Sequence, residues 1–172
     1  MHTTDATDRP TAIDGTRFRA VLGRFATGVT VVTALDDDEP VGLAANSFTS
    51  VSLDPPLVLF CAAKTSTTWP RIQAAGHFCV NVLGEHQEEV CRVFATKGAR
   101  RFDRVGWRRG ASGAPVLDDA LAWADCTIHA EHDAGDHVIV VGRVLDLDAG
   151  DGEPLVFFGG RYRRLAPPDP NA

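Results

Sequence analysis

The stretch from Gly42 to Pro56, GLAANSFTSVSLDPP, carries the residue types best suited to hold a flat ligand. Gly42, Ala44 and Ala45 are small enough to let a planar ring approach the backbone. Asn46, Ser47, Thr49, Ser50 and Ser52 then supply the donors and acceptors that a ring edge with alternating carbonyl and N–H groups requires. A polar turn between two strands uses the same composition, and residue types alone favour that plainer reading. The second such stretch is Lys64-Thr65-Ser66-Thr67-Thr68, which precedes an apolar segment beginning at Trp69. Hydroxyls gathered at a helix N-terminus combine side-chain and backbone donors with the positive end of the helix dipole, which suits a phosphate. Plain N-capping needs only one hydroxyl, and this run exceeds that need. His129, His132 and His137 invite a metal reading. His129 and His132 fall on opposite faces of one strand, however, and a metal wants convergent ligands, so no metal is expected.

The elements that must position these groups follow from periodicity. Thr16 to Phe25 places Phe18, Val21, Leu22 and Phe25 on one helical face, with Asp14 or Thr16 as cap and Gly28 as stop. Val29 to Leu35 reads as a strand, the acidic turn Asp36-Asp37-Asp38-Glu39-Pro40 reverses it, and Val41 to Ala45 returns. Leu57 to Cys61 is a continuous apolar run, expected as a strand buried on both faces. A short helix carries Trp69, Ile72 and Ala75, with Pro70 in its first turn and Gly76 past its end. Phe78 to Leu83 is a strand and His86 to Phe94 a helix. Gly98 to Pro115 shows little periodicity and is expected as an irregular lid or partner loop. Ala124 to His132 and Val138 to Asp146 form a hairpin across Asp133-Ala134-Gly135-Asp136. Leu155 to Phe158 is the last strand, turning at Gly159-Gly160. No G-x-G-x-x-G follows a strand and no strand–helix–strand series appears, so the fold class is mainly antiparallel β, a small barrel with short helices.

Composition narrows the function. A length of 172 residues with 44% apolar content suits one domain, expected over residues 16–165, with a flexible arm at 1–15 and a tail at 166–172. A net charge of -6 argues against nucleic acid as a partner. The basic cluster from Lys97 to Arg109 is either a solvated face or a local anion site. No apolar run is long enough for a bilayer and the N-terminus lacks a signal pattern, so no membrane association is expected. Cys61, Cys79, Cys91 and Cys126 lack C-x-x-C spacing and suit buried free thiols in a reducing cytoplasm.

GRFATGVTVVTA, the Gly42 stretch, LVLFCAAKTSTTWPRI, FCVNVL, KGARRF, AGDH and PLVFFGGRY occur in an order and spacing that resemble the flavin reductase family, over Phe18 to Leu165. The resemblance implies an FMN-binding split β-barrel that moves a hydride from NADH or NADPH to FMN or FAD, often for a partner monooxygenase, and a homodimer. It places Pro40, Val41, Gly42, Leu43 and Ala44 along the isoalloxazine wall, Asn46 and Ser47 opposite the backbone of Cys61, Ala62 and Ala63, and Thr67 and Thr68 at the flavin phosphate. Val93 and Phe94 would cover the ribityl or phosphate end, and Lys97 would help hold phosphate. The triplet Gly135-Asp136-His137 resembles the motif beside the nicotinamide, although Asp136 also serves the turn; His137 would orient the nicotinamide. Phe157, Phe158, Gly159 and Gly160 would be the other nicotinamide contacts. The residues alone leave open FMN against FAD and NADH against NADPH. Two other readings are compatible with the same pocket: a flavoprotein that retains FMN to oxidise its own substrate, and a non-catalytic flavin carrier.

Overall fold

The computed structural model describes residues 13–96, 98 and 100–166. Most of the expected N-terminal arm, nearly all of the expected tail, and Lys97 lie outside the described residues. Helix α1 (Gly15–Leu22) leads into strand β1 (Thr27–Gly28), then β2 (Thr30–Asp36) and β3 (Glu39–Ala45), then β4 (Thr49–Leu53) and β5 (Pro56–Ala63). Helix α2 (Trp69–Ala75), strand β6 (His77–Val82) and helix α3 (Glu88–Ala95) follow. The second half holds β7 (Trp107–Arg109), β8 (Pro115–Leu117), β9 (Ala122–Ala134), β10 (His137–Ala149), β11 (Val156–Phe158) and β12 (Arg161–Arg163).

Seven strands form one sheet in the order β3-β2-β6-β9-β10-β5-β4, every neighbouring pair antiparallel. The sheet curls on itself, because residues from its two ends share one core: Val32 and Val41 meet Val58, Phe60 and Val140. Phe60 packs edge-on against Phe78 at 5.2 Å and against Trp69 of α2 at 5.9 Å, so α2 plugs this interior. Val29, Val31, Leu83 and Phe94 make a second core beneath α3. Mostly antiparallel β with three short helices is the fold class expected from the pattern.

Four local expectations need correction. Helix α1 ends at Leu22, capped at Gly23, while Gly28 belongs to β1. Asp14 is its N-cap, accepting from the N–H groups of Thr16 and Arg17. Strand β5 alternates in burial, with Val58, Phe60 and Ala62 inward, whereas β2 is the strand buried on both faces because α3 and β8 together cover its outer side. The polar run Thr49–Leu53 is a strand, since pairing with β5 satisfies its backbone despite exposed side chains. The segment 98–115 is not wholly irregular: β7 pairs with β8, and Asp125 anchors the intervening turn by accepting from Ser112 N–H at 2.6 Å and Ser112 Oγ at 2.5 Å.

Candidate functional site

Strand β5 outruns its edge partner. Its pairing with β4 runs as far as Thr49 opposite Leu59, which leaves the Cys61 backbone free on that side. Ser47 takes both groups: its Oγ accepts from Cys61 N–H at 2.9 Å and donates to the Cys61 carbonyl at 3.3 Å. The Ala44–Ser47 corner is thereby held beside Cys61, although β3 and β5 are not neighbours in the sheet. Ala62 points into the barrel core and offers only backbone, while Ala63 lies opposite His137 across the β5–β10 ladder. The hairpin tip is tied down where Lys64 N–H donates to the Asp136 carbonyl at 2.9 Å and Lys64 pairs with Asp133. His137 Nδ1 lies 2.7 Å from Asp136 Oδ1, which fixes the ring's orientation. That contact holds the Asp136 carboxyl below its ordinary range.

The hydroxyl run divides its labour. Ser66 Oγ accepts from the N–H groups of Thr68 and Trp69, so capping of α2 falls to this one residue. Thr67 and Thr68 are left to line a cavity of about 580 Å³ with Pro40, Val41, Gly42 and the guanidinium groups of Arg71, Arg100 and Arg101. Gly42 is there for a steric reason: a Cβ on it would stand 2.7 Å from Phe94 Cε1. Phe94 is therefore the buried floor under Gly42. Leu43 packs against the barrel core. Val93 is half-buried on α3 and lines neither this cavity nor the next.

Arg101 lies in the basic cluster that the sequence leaves open as a solvated face or a local anion site, and in which Lys97, not Arg101, is the residue singled out for phosphate. Its Nη1 donates to the Gly42 carbonyl at 2.6 Å and to Thr68 Oγ1 at 2.8 Å, and its Nη2 to the Thr96 carbonyl at 3.0 Å. All three acceptors are neutral, and its buried Nε has no partner among the described residues. Burial pushes its pKa down from the usual arginine value. A half-buried guanidinium that meets no carboxylate among the described residues, beside the Thr68 hydroxyl, is a site that an anion completes.

A smaller cavity of about 170 Å³ brings Ala44, Asn46 and Phe157 together with Tyr162 and Cys91. Tyr162 was also missed. Its ring meets Phe157 edge-on at 5.5 Å, Arg92 stacks over it at 5.2 Å, and its hydroxyl shares a hydrogen bond with Cys91 Sγ at 3.1 Å. Burial first, then Cys91, push the Tyr162 phenol up to about 12. The signal was available, since Phe157 and Tyr162 must face each other across a two-glycine hairpin. Gly159 and Gly160 make that turn at φ 58° and 75°, and Gly159 N–H donates to the Gly23 carbonyl. With Phe158 they lie outside both cavities.

Small-residue walls, a Ser47 clamp and an anion-seeking cavity fit a flat ring with a phosphate tail. The sequence profile described as "Flavin reductase like domain" matches residues 22–166. The chain belongs to this family. The chain is 46% identical over 157 residues to the reductase subunit HsaB of a flavin-dependent monooxygenase from Rhodococcus jostii, covering 91% of this chain and 80% of that protein. It is 47% identical over 149 residues to the FMN reductase (NADH) SmoA of Agrobacterium fabrum, covering 87% and 85%. Among solved structures, the NADH:FAD oxidoreductase of Streptomyces globisporus in complex with NAD and FAD fragments superposes with a TM-score of 0.86. That match has 45% identity and covers 90% of this chain and 94% of that one. For this flavin reductase-like chain, the fold is thus that of an oxidoreductase family. No described helix is long and apolar enough to cross a membrane.

Proposed function

We propose that this chain is an NADH-dependent flavin reductase that supplies reduced FMN or FAD to a partner monooxygenase. The observation that carries the reading is Arg101, a cation that meets no carboxylate among the described residues, set between Thr68 and the small-residue wall at Gly42. The named activities of relatives at 45–47% identity support it. The two bound molecules carry the redox chemistry, a hydride moving from the nicotinamide ring to the flavin ring. The chain's part is to hold and orient them. Thr67, Thr68 and Arg101 hold phosphate, with Pro40, Val41 and Gly42 alongside. Asn46 and Ser47 face the Cys61–Ala63 backbone across the ring. His137, aimed by Asp136, orients the nicotinamide from one side, and Phe157 presents an aromatic surface beside Asn46.

NADH oxidation that depends on added flavin tests this reading. His137→Ala is expected to raise the KM for NADH about 2- to 10-fold, the worth of one hydrogen bond, with flavin affinity kept. Unchanged reduction kinetics would remove His137 from the site. Flavin binding without NADH turnover would favour a carrier, and FMN carried through gel filtration a dedicated flavoprotein.

We further read the chain as a homodimeric split barrel. Phe18, Val21, Leu22 and Phe25 on α1, Val51 and Leu53 on β4, and Leu145 and Leu147 on β10 are exposed, Leu53 at 95% and Phe25 at 74%. Apolar surface of this extent calls for a partner, and among the described residues β4 is also a sheet edge without a further strand. Sedimentation equilibrium is expected to give twice the chain mass, and Leu53→Arg combined with Leu147→Arg to give the monomer. A wild-type monomer at micromolar concentration would refute it. The cysteines, unpaired and three of them buried, suit a reducing cytoplasm.

A further inference from the structure

We infer that the cavity beside Arg101 receives the adenylate half of FAD, so that this chain prefers FAD to FMN. The inference rests on the flavin reading above and concerns only which flavin is taken. The cavity, at about 580 Å³, is far larger than one phosphate requires and has the size of a site for a whole organic group.

Its cations are unequal. Arg71 is neutralised by Asp36 at 2.5 Å and Glu39 at 2.6 Å, so it offers surface more than charge. Arg100 reaches Asp103 only at 3.8 Å and is 89% exposed, which leaves it available to a stronger anion. Arg101 has neutral acceptors only among the described residues. Two available guanidiniums in one cavity match the two phosphates of a pyrophosphate, whereas riboflavin phosphate presents one. A flat base then has Pro40 and Phe102 to lie against. Phe102 is held for this by edge contacts to Phe94 at 5.1 Å and Trp107 at 6.2 Å. A planar base on arginine and aromatic surface is a favourable pairing.

The test is equilibrium binding of FMN and FAD to the full chain, followed by flavin fluorescence at fixed ionic strength. FAD is expected to bind about tenfold more tightly than FMN, the worth of one added charged hydrogen bond. AMP is expected to displace FAD while leaving bound FMN in place. Arg100→Glu is expected to reduce the FAD preference at least about fivefold. Equal dissociation constants for the two flavins, or AMP without effect on FAD, would overturn the inference while the flavin reading stands. Binding of neither flavin would end both, and so tells the two failures apart.

Discussion

Arg101→Ala is expected to raise the dissociation constant for flavin phosphates about 10- to 100-fold, the range for losing one hydrogen bond to a charged group. Riboflavin, which has no phosphate, should lose much less. Two roles are removed together. The guanidinium supplies the charge that an anion meets, and it also ties the Gly42 carbonyl, Thr68 Oγ1 and the Thr96 carbonyl into one rim. Arg101→Lys should recover only part of the affinity, because a single ammonium cannot reach three divergent acceptors and still present an N–H to the cavity. Titration of the wild type and both variants with FMN and riboflavin separates charge from architecture. Equal weakening of both ligands by Arg101→Ala would show that Arg101 holds the rim and does not meet the phosphate.

Asn81→Ala should cost about 3 kcal/mol and lower Tm by about 6–12 °C, the scale set by orphaned buried groups in a chain of this size. Asn81 is fully buried near the C-terminal end of β6. Its Nδ2 donates to the Val31 carbonyl at 3.2 Å and Thr33 Oγ1 at 3.1 Å, and its Oδ1 accepts from Leu117 N–H at 2.7 Å. Thr33 Oγ1 in turn donates to the Pro115 carbonyl at 2.5 Å. This network is what fastens β8, and with it the β7–β8 hairpin, onto the outer face of the sheet. Alanine leaves the Leu117 N–H without an acceptor and a void beside Thr33, both buried. A thermal melt within about 2 °C of wild type would mean that the hairpin is held elsewhere.

These two residues also mark the limits of reading the chain by pattern. Asn81 lies in a strand that the sequence shows, but nothing local says that its side chain meets β8 of the β7–β8 hairpin, with Leu117 36 residues downstream. That hairpin is three residues a side and takes its stability from Asn81 and Asp125. Alternation over so few residues does not rise above chance, which is why the segment read as irregular. Strand β4 failed for a related reason: its side chains are exposed, so burial leaves no period in the sequence.

By itself the sequence determined the long β9–β10 hairpin, the placement of α2 between Trp69 and Gly76, the antiparallel class and the family, because period, turn chemistry and motif order are local properties. Only the tertiary structure decided which cation is uncompensated. Arg71 finds carboxylates on Asp36 and Glu39, more than thirty residues back, while Arg101 finds neutral oxygens on β3 and at the start of α2. Adjacent arginines look alike in a chain. They differ once folding fixes what lies within hydrogen-bonding reach of each, since burial raises the cost of a charge without a partner.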